Sequence, residues 1–521
     1  MPAGRRSGHR ATLNPVSVLN QVSPSTALPD VAFALRPSAC PGLLRIVAAR
    51  DGGICRIKLP GGELSAAQAA VIADVSEHHA AGVVELTNRA NLQVRGVRGG
   101  HEAALIAALV DAGLGPMPTV MPMPMPASGA ADAAVVLTVG EAATSTARSA
   151  DLRHASSNRQ LASAADDVRN VMISPAAGRD PFALFDTRPL CAELLALLQS
   201  DARFAALSPK FALLLDGGER LARLDHPHDV WLAATQARDG VRFVFGLAGC
   251  PPVMANANTG ALAAVLPSQV AALVRALLHT FLDLAAADAT RMRHVLSAHS
   301  IDAVLQHAQT YVDFPLSRDT SLANWQRGTP TDPTLRLGAH AQRVVGMLHV
   351  GGQPPLGRLD AATLRGLASL SHQQGNGTLH ITPWQSVLLP DIAANAAPAV
   401  LAEMNTLGLA FDPAQSITHL IACAGSTGCV KGLADTKADA LLLADRLPNG
   451  VDVHLSGCPR SCAAAHCAPY TLLAVARGIY DLYRRDGQPG FGSCVARQLT
   501  IEQAADMLDP LAHPTRSPLD A

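Results

Sequence analysis

The sequence predicts an α+β protein made of a duplicated two-part unit, with its parts in the order A–B–A′–B′. Segments recur at constant spacings, and internal repeats of this kind decide a fold more strongly than any local pattern. At a spacing of 295 residues (82 to 377), the matches are Gly82–Thr87 with Gly377–Thr382 and Leu64 with Leu359. At a spacing of 249 residues (186 to 435), they are Asp186-Thr187 with Asp435-Thr436 and Ser174 with Cys423. Leu215-Asp216-Gly217 likewise resembles Leu455-Ser456-Gly457, so we expect a pseudo-twofold molecule with an active site between its halves.

Half-domain A is predicted at residues 35–114, after an N-terminal arm at residues 1–34 that lacks periodicity and is expected to be flexible. Ser65 is the predicted cap of a helix that runs to about His79, because apolar residues recur there at helical spacing. Apolar runs between Gly and Pro turns predict strands. The predicted strands are Leu43–Ala48, Ile54–Leu59, Val83–Thr87 and Leu92–Val97, and a second helix is predicted over Glu102–Ala112.

Residues 115–165 are rich in Pro, Met, Ala and Ser, and this low-complexity composition predicts an exposed linker. Domain B is predicted at residues 166–325. It begins with a helix over Leu190–Gln199 and a strand over Ala212–Leu215, and residues 229–315 are expected to hold two strands and two long helices. Half-domain A′ is predicted at residues 335–395, and domain B′ at residues 396–515.

The composition argues against several classes of function. The 521 residues include 41 basic and 42 acidic side chains, which leaves no electrostatic footprint for nucleic acid or an anionic membrane. Aromatic residues make up only 3%, and Arg275, His279 and Asp283 interrupt the most apolar long stretch, so no transmembrane helix is expected. The basic N terminus lacks the apolar region of a signal peptide. Ten cysteines without a disulfide rhythm predict metal binding in a reducing cytoplasm.

Four of the ten cysteines form two close pairs in B′. Cys423 and Cys429 have C-x5-C spacing, and Cys458 and Cys462 have C-x3-C spacing. Thiolates favour iron–sulfur clusters or zinc. Zinc ribbons use shorter C-x2-C pairs, so this spacing favours a cubane [4Fe–4S] cluster with these four cysteines as ligands.

The block Thr87–Gly96, the four-cysteine set and the A–B–A′–B′ order together resemble the sulfite/nitrite reductase superfamily, over most of residues 36–510. The resemblance implies that A and A′ pair into one ferredoxin-like domain. It also implies that B and B′ are two α/β domains of the nitrite/sulfite reductase type around a [4Fe–4S] cluster. In the reductases of this superfamily the last cysteine of the set, here Cys462, bridges the cluster to sirohaem iron.

Within the superfamily, the chain is most similar to the precorrin-3B synthase branch. The shared segments are Arg36-Pro37-Ser38, Cys40-Pro41-Gly42, Arg50–Gly53, Pro60–Gly62, Pro209–Phe211, Asp216–Gly218, Gly357–Leu359 and Thr382–Trp384. This similarity implies an O2-dependent monooxygenase of aerobic cobalamin biosynthesis. It would convert precorrin-3A to precorrin-3B by hydroxylating a meso carbon and forming a γ-lactone. The similarity further implies a non-haem iron, whose ligands the sequence does not assign. Because the chain has no Gly-x-Gly-x-x-Gly fingerprint, a separate NADH-dependent reductase is the expected electron donor.

Precorrin-3A carries acetate and propionate side chains, so its site requires several cations around an apolar trough. The candidate tetrapyrrole-binding residues are Arg89, Arg95, Arg169, Lys210, Asn88 and Gln93. Arg89, Arg169 and Lys210 match motif positions that bind sirohaem carboxylates in the related reductases. The sequence assigns no catalytic residue.

Two other functions stay open at this point. A sirohaem-dependent sulfite or nitrite reductase is the first, but those enzymes have Lys-Phe-Lys where this chain has Lys210-Phe211-Ala212. Losing one cation beside the reducible anion disfavours anion reduction. The second is a non-catalytic tetrapyrrole or cluster carrier. The run Ala463-Ala464-Ala465 supports it, because the synthase pattern has Cys-Ala-His-Pro after the last ligand; Gln385, where arginine is usual, is a further departure.

Overall fold

The computed structural model describes residues 40–116, 162–253, 260–448, 450–464, 468–487 and 490–512. The predicted N-terminal arm, residues 1–34, and residues 117–161 of the predicted linker lie outside the described residues. Within the described ranges, no helix combines the length and the apolar character needed to cross a membrane.

Half-domains A and A′ each form a sheet with helices packed on it. The elements of A are β1 (Val47–Ala49), β2 (Gly52–Ile57), β3 (Glu63–Ser65), α1 (Ala66–His79), β4 (Val83–Leu86), β5 (Leu92–Val97) and α2 (Glu102–Asp111). Those of A′ are β11 (Gly338–Ala341), β12 (Met347–Gly352), β13 (Arg358–Asp360), α8 (Ala361–Gln374), β14 (Thr378–Ile381), β15 (Val387–Ala393) and α9 (Ala397–Thr406). From β2 to α2, every element begins again 295 residues later (52 to 347), which confirms the predicted duplication.

The two half-domains exchange a strand. β3 of A pairs antiparallel with β14 of A′, where Leu64 lies opposite Leu379. β13 of A′ pairs in the same way with β4 of A, where Leu359 lies opposite Val84. Because these four leucine and valine side chains are buried in one shared apolar core, A and A′ form a single domain, as the sequence predicts.

Matching caps begin the two central helices. The Ser65 side chain accepts a hydrogen bond from the backbone N–H of Gln68, and the Gln68 side chain accepts one from the Ser65 N–H. This capping box satisfies two donors that a helix N-terminus leaves free, and it confirms the predicted start of α1. In A′ the equivalent cap is Asp360, which accepts from the N–H of Thr363.

Domains B and B′ are two α/β units. B contains α3 (162–167), β6 (Val171–Met172), α4 (Arg188–Ser200), β7 (Leu213–Asp216), β8 (His228–Ala237), β9 (Gly240–Gly249), β10 (Ala263–Val265), α5 (Val270–Leu284), α6 (Met292–Leu296) and α7 (Ile301–Gln309). B′ contains β16 (Leu420–Ala422), α10 (Gly425–Gly428), α11 (Thr436–Ala444), β17 (Val453–Ser456), β18 (Tyr470–Ala476), β19 (Ile479–Arg484), β20 (Ser493–Leu499) and α12 (Ile501–Ala512). Each has its own apolar core.

The sheets of B and B′ share one topology: three parallel strands followed by two antiparallel ones. The register repeats as well. Leu213 pairs with Val230 in B, and Val453 pairs with Tyr470 in B′, a spacing of 240 residues (213 to 453). The loops after the parallel strands therefore correspond, and ligand sites of α/β domains form in such loops.

The structure departs from the expected boundaries at two places. The first strand begins at Val47 rather than Leu43, because Leu43 lies in an irregular segment whose N–H donates to Asp166 of B. Half-domain A′ extends past residue 395 through α9, whose counterpart is α2. The helix was missed because the Ala-rich segment around residue 395 resembles a linker.

Gly62 offers a direct test of the close approach between A and A′. Its φ is +73°, and a Cβ there would overlap the carbonyl oxygen of Ile381. Gly62→Ala is therefore expected to cost about 3 kcal/mol, from left-handed strain plus steric overlap. Gly100→Ala is the matched control, because Gly100 has φ +85° with no atom near its Cβ position, and should cost about 1–2 kcal/mol. Equal urea denaturation midpoints for the two variants would contradict the predicted overlap.

Candidate functional site

The four cysteines of B′ lie in the two loops that follow its parallel strands. Cys423 comes directly after β16, and Cys429 ends the short helix α10. Cys458 and Cys462 lie in the loop after β17. Parallel strands bring their carboxyl ends to the same edge of a sheet, so loops far apart in sequence meet here.

The thiols converge on one place. Burial raises the pKa of the Cys462 thiol, and the negative charges of Cys458, Cys423 and Cys429 raise it further. No group of three His, Cys, Asp or Glu side chains in the described ranges is close enough to hold one metal ion. A cubane binds each thiolate through a different iron atom, so its ligands stand further apart than those of a single ion. Four thiols in two neighbouring loops therefore suit a cluster, which has one iron atom for each of them.

The loop backbone already solvates a thiolate. The sulfur of Cys423 accepts the N–H groups of Gly425, at 3.4 Å, and Gly457, at 3.2 Å. Such hydrogen bonds stabilise a negatively charged sulfur and tune the potential of a bound cluster. A Cβ at Gly457 would stand 3.2 Å from the Cα of Gly432 and 3.4 Å from the Cys423 sulfur, so a side chain there would fit only tightly between the two loops. These features fit a cluster ligand.

Arg95 connects half-domain A to the cysteine loop. Its guanidinium makes two hydrogen bonds of 2.8 Å to the Asp51 carboxylate and one of 2.9 Å to the carbonyl oxygen of Gly428. Glu85 lies 3.6 Å from Arg95 and from the Lys437 ammonium. The Arg95 side chain is 6% exposed and is held by protein partners, so it links half-domain A to the loop that carries Cys429. The tetrapyrrole contact expected from the sequence stays a prediction.

Arg56, Lys58 and Arg89 form a cationic cluster next to the cysteines. Burial lowers the pKa of Arg56, while the negative charges of Cys40, Cys462 and Asp167 act to raise it, which puts Arg56 within electrostatic reach of Cys462. Burial also lowers the pKa of Lys58 to about 8 and that of Arg89 to about 10. Burying neighbouring cations is costly unless anions offset their charge, and Asp166, Asp167 and Asp229 offset part of it here. The positive charge that remains suits a carboxylate-bearing ligand.

The other predicted contacts are distributed around this cluster. With its amide oxygen facing Arg56, Gln93 accepts from Nε at 3.2 Å and from Nη2 at 2.7 Å, so it orients that guanidinium. Asn88 is half-buried in the turn that precedes Arg89. Arg169 donates to the Leu114 carbonyl at 3.2 Å and to Asp166 at 3.4 Å, and is thus engaged by protein groups. Lys210 is exposed. Gln93 thus contacts Arg56, which lies within electrostatic reach of Arg89, whereas Arg169 is engaged by protein groups and Lys210 faces solvent.

Sequence reasoning missed several residues here. Arg291 forms an ion pair of 2.9 Å with Asp229, and its charge lowers the pKa of Arg89. His226 lies in the loop before β8 and His228 is the first residue of that strand, and both are within electrostatic reach of the same arginines. The signal for the histidines was present in the short His-Pro-His run. Arg291 had none, because it is 62 residues from its partner.

Two family models match the chain. "Nitrite/Sulfite reductase ferredoxin-like half domain" matches residues 48–112 and 340–407, which are A and A′. "Nitrite and sulphite reductase 4Fe-4S domain" matches residues 164–316, which is B. The four cysteines lie outside that match, in B′, whose sheet has the same strand order as B.

Individual relatives of the same kind are similar to this chain at 24% to 30% sequence identity. The ferredoxin–nitrite reductase of Synechococcus elongatus is 30% identical over 64% of this chain and 66% of its own length. The chloroplastic enzyme of Zea mays is 26% identical over 79% of this chain and 68% of its own length. The chain thus spans about two thirds of these reductases. Precorrin-3B synthase of a Sinorhizobium species is 24% identical over 91% of this chain and 90% of its own length.

A solved structure shows the same fold. Mycobacterium tuberculosis NirA superposes with a TM-score of 0.66 at 19% identity, covering 90% of this chain and 82% of NirA. The matches to A, A′ and B and the convergent thiols of B′ agree with one another. The chain therefore carries two ferredoxin-like half-domains and a 4Fe-4S domain of the nitrite and sulphite reductase type.

Proposed function

We propose that this chain is a precorrin-3B synthase, an O2-dependent monooxygenase that converts precorrin-3A to precorrin-3B. The observation that carries the proposal is the alanine at position 212, directly after Lys210-Phe211. Ala212 is buried, and its N–H donates to Asp229 at 2.9 Å. A second lysine would supply cationic charge there, and reduction of sulfite or nitrite depends on such charge and on proton donors. The match over nine tenths of a synthase supports the same reading.

Cys423, Cys429, Cys458 and Cys462 are the proposed ligands of the [4Fe–4S] cluster. When bound, the cluster supplies single electrons to the reaction. We place the protein in the cytoplasm, because its ten cysteines show no disulfide rhythm in the sequence and four of them are spaced as cluster ligands. Among the described residues, no three His, Cys, Asp or Glu side chains lie close enough together to hold the implied non-haem iron.

The chain's own residues bind and orient the tetrapyrrole. Arg89 and Arg56 are proposed to receive its acetate and propionate groups, and Gln93 holds the Arg56 guanidinium in place. Arg95 links this strand to the cysteine loop through the carbonyl oxygen of Gly428, which fixes Gln93 relative to the loop whose cysteines would hold the cluster. Overall, one oxygen atom of dioxygen adds across a meso C=C bond, and two electrons and two protons reduce the other oxygen atom to water. The ring acetate adds its carboxyl oxygen to the neighbouring carbon as the γ-lactone, and its proton completes the meso hydroxyl group. An electron-donor protein, proposed to be an NADH-dependent reductase, supplies the electrons.

The test is anaerobic purification followed by an absorption spectrum and by analysis of iron, sulfide and tetrapyrrole. We expect a broad cluster band without stoichiometric sirohaem, and uptake of dioxygen when precorrin-3A and reductant are added. Stoichiometric sirohaem would instead identify a reductase, the second candidate, which the 30% identity to the Synechococcus enzyme favours. Tetrapyrrole binding without oxygen uptake would indicate a carrier.

A further inference from the structure

A cavity of about 370 Å³ lies between the domain that A and A′ form and domain B. It shares no lining residue with the cysteine loops or with the cationic cluster, so it is a separate candidate site. Its apolar lining residues come from both domains: Pro60 on one side, and Ile173, Ala177, Ala192 and Leu195 on the other. The lining also includes Glu63, Arg188 and His380. Small-molecule sites are typically cavities of this size, largely apolar with a few polar groups.

The two halves of the duplicated molecule differ at this cavity. Arg188 corresponds to Lys437 at the spacing of 249 residues (188 to 437), and Gly61 corresponds to Leu356 at the spacing of 295 residues (61 to 356). In the second half, Lys437 Nζ donates to the carbonyl oxygen of Leu356 at 3.0 Å, and the Leu356 side chain is buried in the core of B′. Gly61 has no side chain, and Arg188 bonds instead to Asp186 at 2.7 to 3.2 Å. Space that protein groups occupy beside Leu356 is therefore left open beside Gly61.

Two hydrogen-bond acceptors lie close together in the cavity. His380 is 4% exposed, and burial, helped by the charges of Arg179 and Arg188, lowers its pKa to about 3, so its ring is neutral. Neither ring nitrogen has a well-aligned hydrogen bond within the described residues, although the Pro175 carbonyl is within reach of one of them. The N–H of a neutral imidazole therefore belongs on the side of Pro175, and the other nitrogen is an acceptor. The half-exposed Glu63 carboxylate lies 3.7 Å from His380 Nε2, too far for a direct hydrogen bond. An ammonium group can donate to both acceptors.

Arg188 supplies the opposite charge. Its Nε and Nη2 donate to Asp186, whereas its Nη1 makes no hydrogen bond in the part of the chain that the structure describes. The hydrogen bonds to Asp186 raise the pKa of Arg188, and the charge of Glu63 raises it further, so Glu63 and Arg188 are within electrostatic reach of each other. A ligand with only a negative charge would be repelled by Glu63, and one with only a positive charge would leave Nη1 without a partner. A small zwitterion satisfies both groups.

We propose that this cavity binds an α-amino acid with an apolar side chain. Its ammonium group donates to Glu63 and His380, its carboxylate accepts from Nη1 of Arg188, and its side chain contacts Ile173 and Leu195. The inference goes beyond the proposed function and does not depend on it, because the cavity shares no residue with the tetrapyrrole site.

The experiment is isothermal titration calorimetry of the full-length protein with three compounds of similar shape. These are L-leucine, isoamylamine, which lacks the carboxylate, and isocaproate, which lacks the ammonium group. L-leucine should bind at one site, and each analogue should bind about 10-fold more weakly, because each loses one charge-assisted contact.

Two variants test the assigned contact of the ammonium group. Glu63→Gln should raise the Kd of L-leucine about 10-fold and should not weaken the binding of isocaproate, because only the ammonium group loses its counter-charge. Glu77→Gln is the matched control. Glu77 lies on α1 of the same half-domain, its side chain is 55% exposed against 51% for Glu63, and it is not part of the cavity lining, so Kd should not change.

A third variant tests the cavity itself. Ala192 is an exposed residue of α4 that lines the cavity, so Ala192→Trp should fill the space and abolish binding of L-leucine without a loss of stability. The proposal is wrong if L-leucine does not bind at concentrations up to about 10 mM. It is also wrong if Glu63→Gln or Ala192→Trp binds L-leucine as well as the parent protein does. Equal affinity for L-leucine and isoamylamine would identify a site for organic cations and would contradict the zwitterion assignment.

Discussion

Replacing Cys462 with serine is expected to abolish the iron–sulfur absorbance and to reduce the iron and sulfide content to near zero. The thiol lies within electrostatic range of Cys423, Cys429 and Cys458, and a hydroxyl is a far poorer ligand for iron than a thiolate. Because the other three thiols cannot complete a four-ligand site, the loss should be complete rather than graded. The measurement is the absorption spectrum with iron and sulfide analysis after anaerobic purification.

Cys494→Ser is the matched control. Cys494 is exposed on β20, in the same domain, and its thiol donates a hydrogen bond to the carbonyl oxygen of Ala496 at 3.5 Å. This variant should keep the full cluster content. Full cluster absorbance in Cys462→Ser would show that the ligand assignment is wrong.

Much of the architecture could be predicted because duplication makes similar segments recur at a constant spacing in the sequence. A few matches, such as Leu64 with Leu359, were enough to predict a pseudo-twofold arrangement, and the structure repeats every element from β2 to α2 at that spacing. The strand exchange between β3 and β13 was not predictable. A strand of three residues carries too little periodicity to reveal which of two similar sheets it joins.

The site was predictable only where residues that act together are close in sequence. Spacing alone indicated the four cysteines, since paired thiols in glycine-rich loops have few other uses. The cationic cluster was identified in part: Arg89 came from a motif, whereas Arg56 and Lys58 looked like ordinary strand residues. The protein partners of Arg95 were not predictable, because nothing in the sequence shows that Asp51 and Gly428 meet its guanidinium.

The comparison of B with B′ explains how one copy holds its loops together without cysteines. By the 240-residue spacing, Gly218 and Ala222 of B correspond to Cys458 and Cys462 of B′. In B the Asp216 carboxylate, which corresponds to Ser456, forms a two-pronged ion pair with Arg327 at 2.6 and 2.9 Å. Both side chains are almost fully buried, at 0% and 1% exposure. We infer that this ion pair stabilises the loop that a cluster would stabilise in B′.

Arg327→Leu is therefore expected to destabilise B by about 3–5 kcal/mol, the usual cost of leaving a buried charge without its partner. Burial, and next the charge of Asp216, raise the pKa of Glu219 to about 8, so a second buried carboxyl group also loses its cation. When the pKa of a carboxyl group is higher in the folded state than in the unfolded state, stability falls as pH rises toward the folded-state pKa. Arg327→Leu removes a charge that lowers the pKa of Glu219, so this loss of stability is larger in the variant. The destabilisation should therefore be larger at about pH 8 than at about pH 5. Denaturant unfolding followed by tryptophan fluorescence measures it, because Trp231 and Trp325 pack together in B.

Arg365→Leu provides the control for this prediction. Its ion pairs with Asp74 and Glu77 are exposed, and such surface pairs contribute about 0–1 kcal/mol. A similarly small effect for Arg327→Leu would contradict the assigned role of the buried pair. Cluster absorbance should persist in Arg327→Leu under native conditions, because the proposed ligands all lie in B′. The two variants therefore test the two loops separately. Cys462→Ser should lose the cluster and leave the stability of domain B unchanged, whereas Arg327→Leu should destabilise domain B and leave the cluster in place.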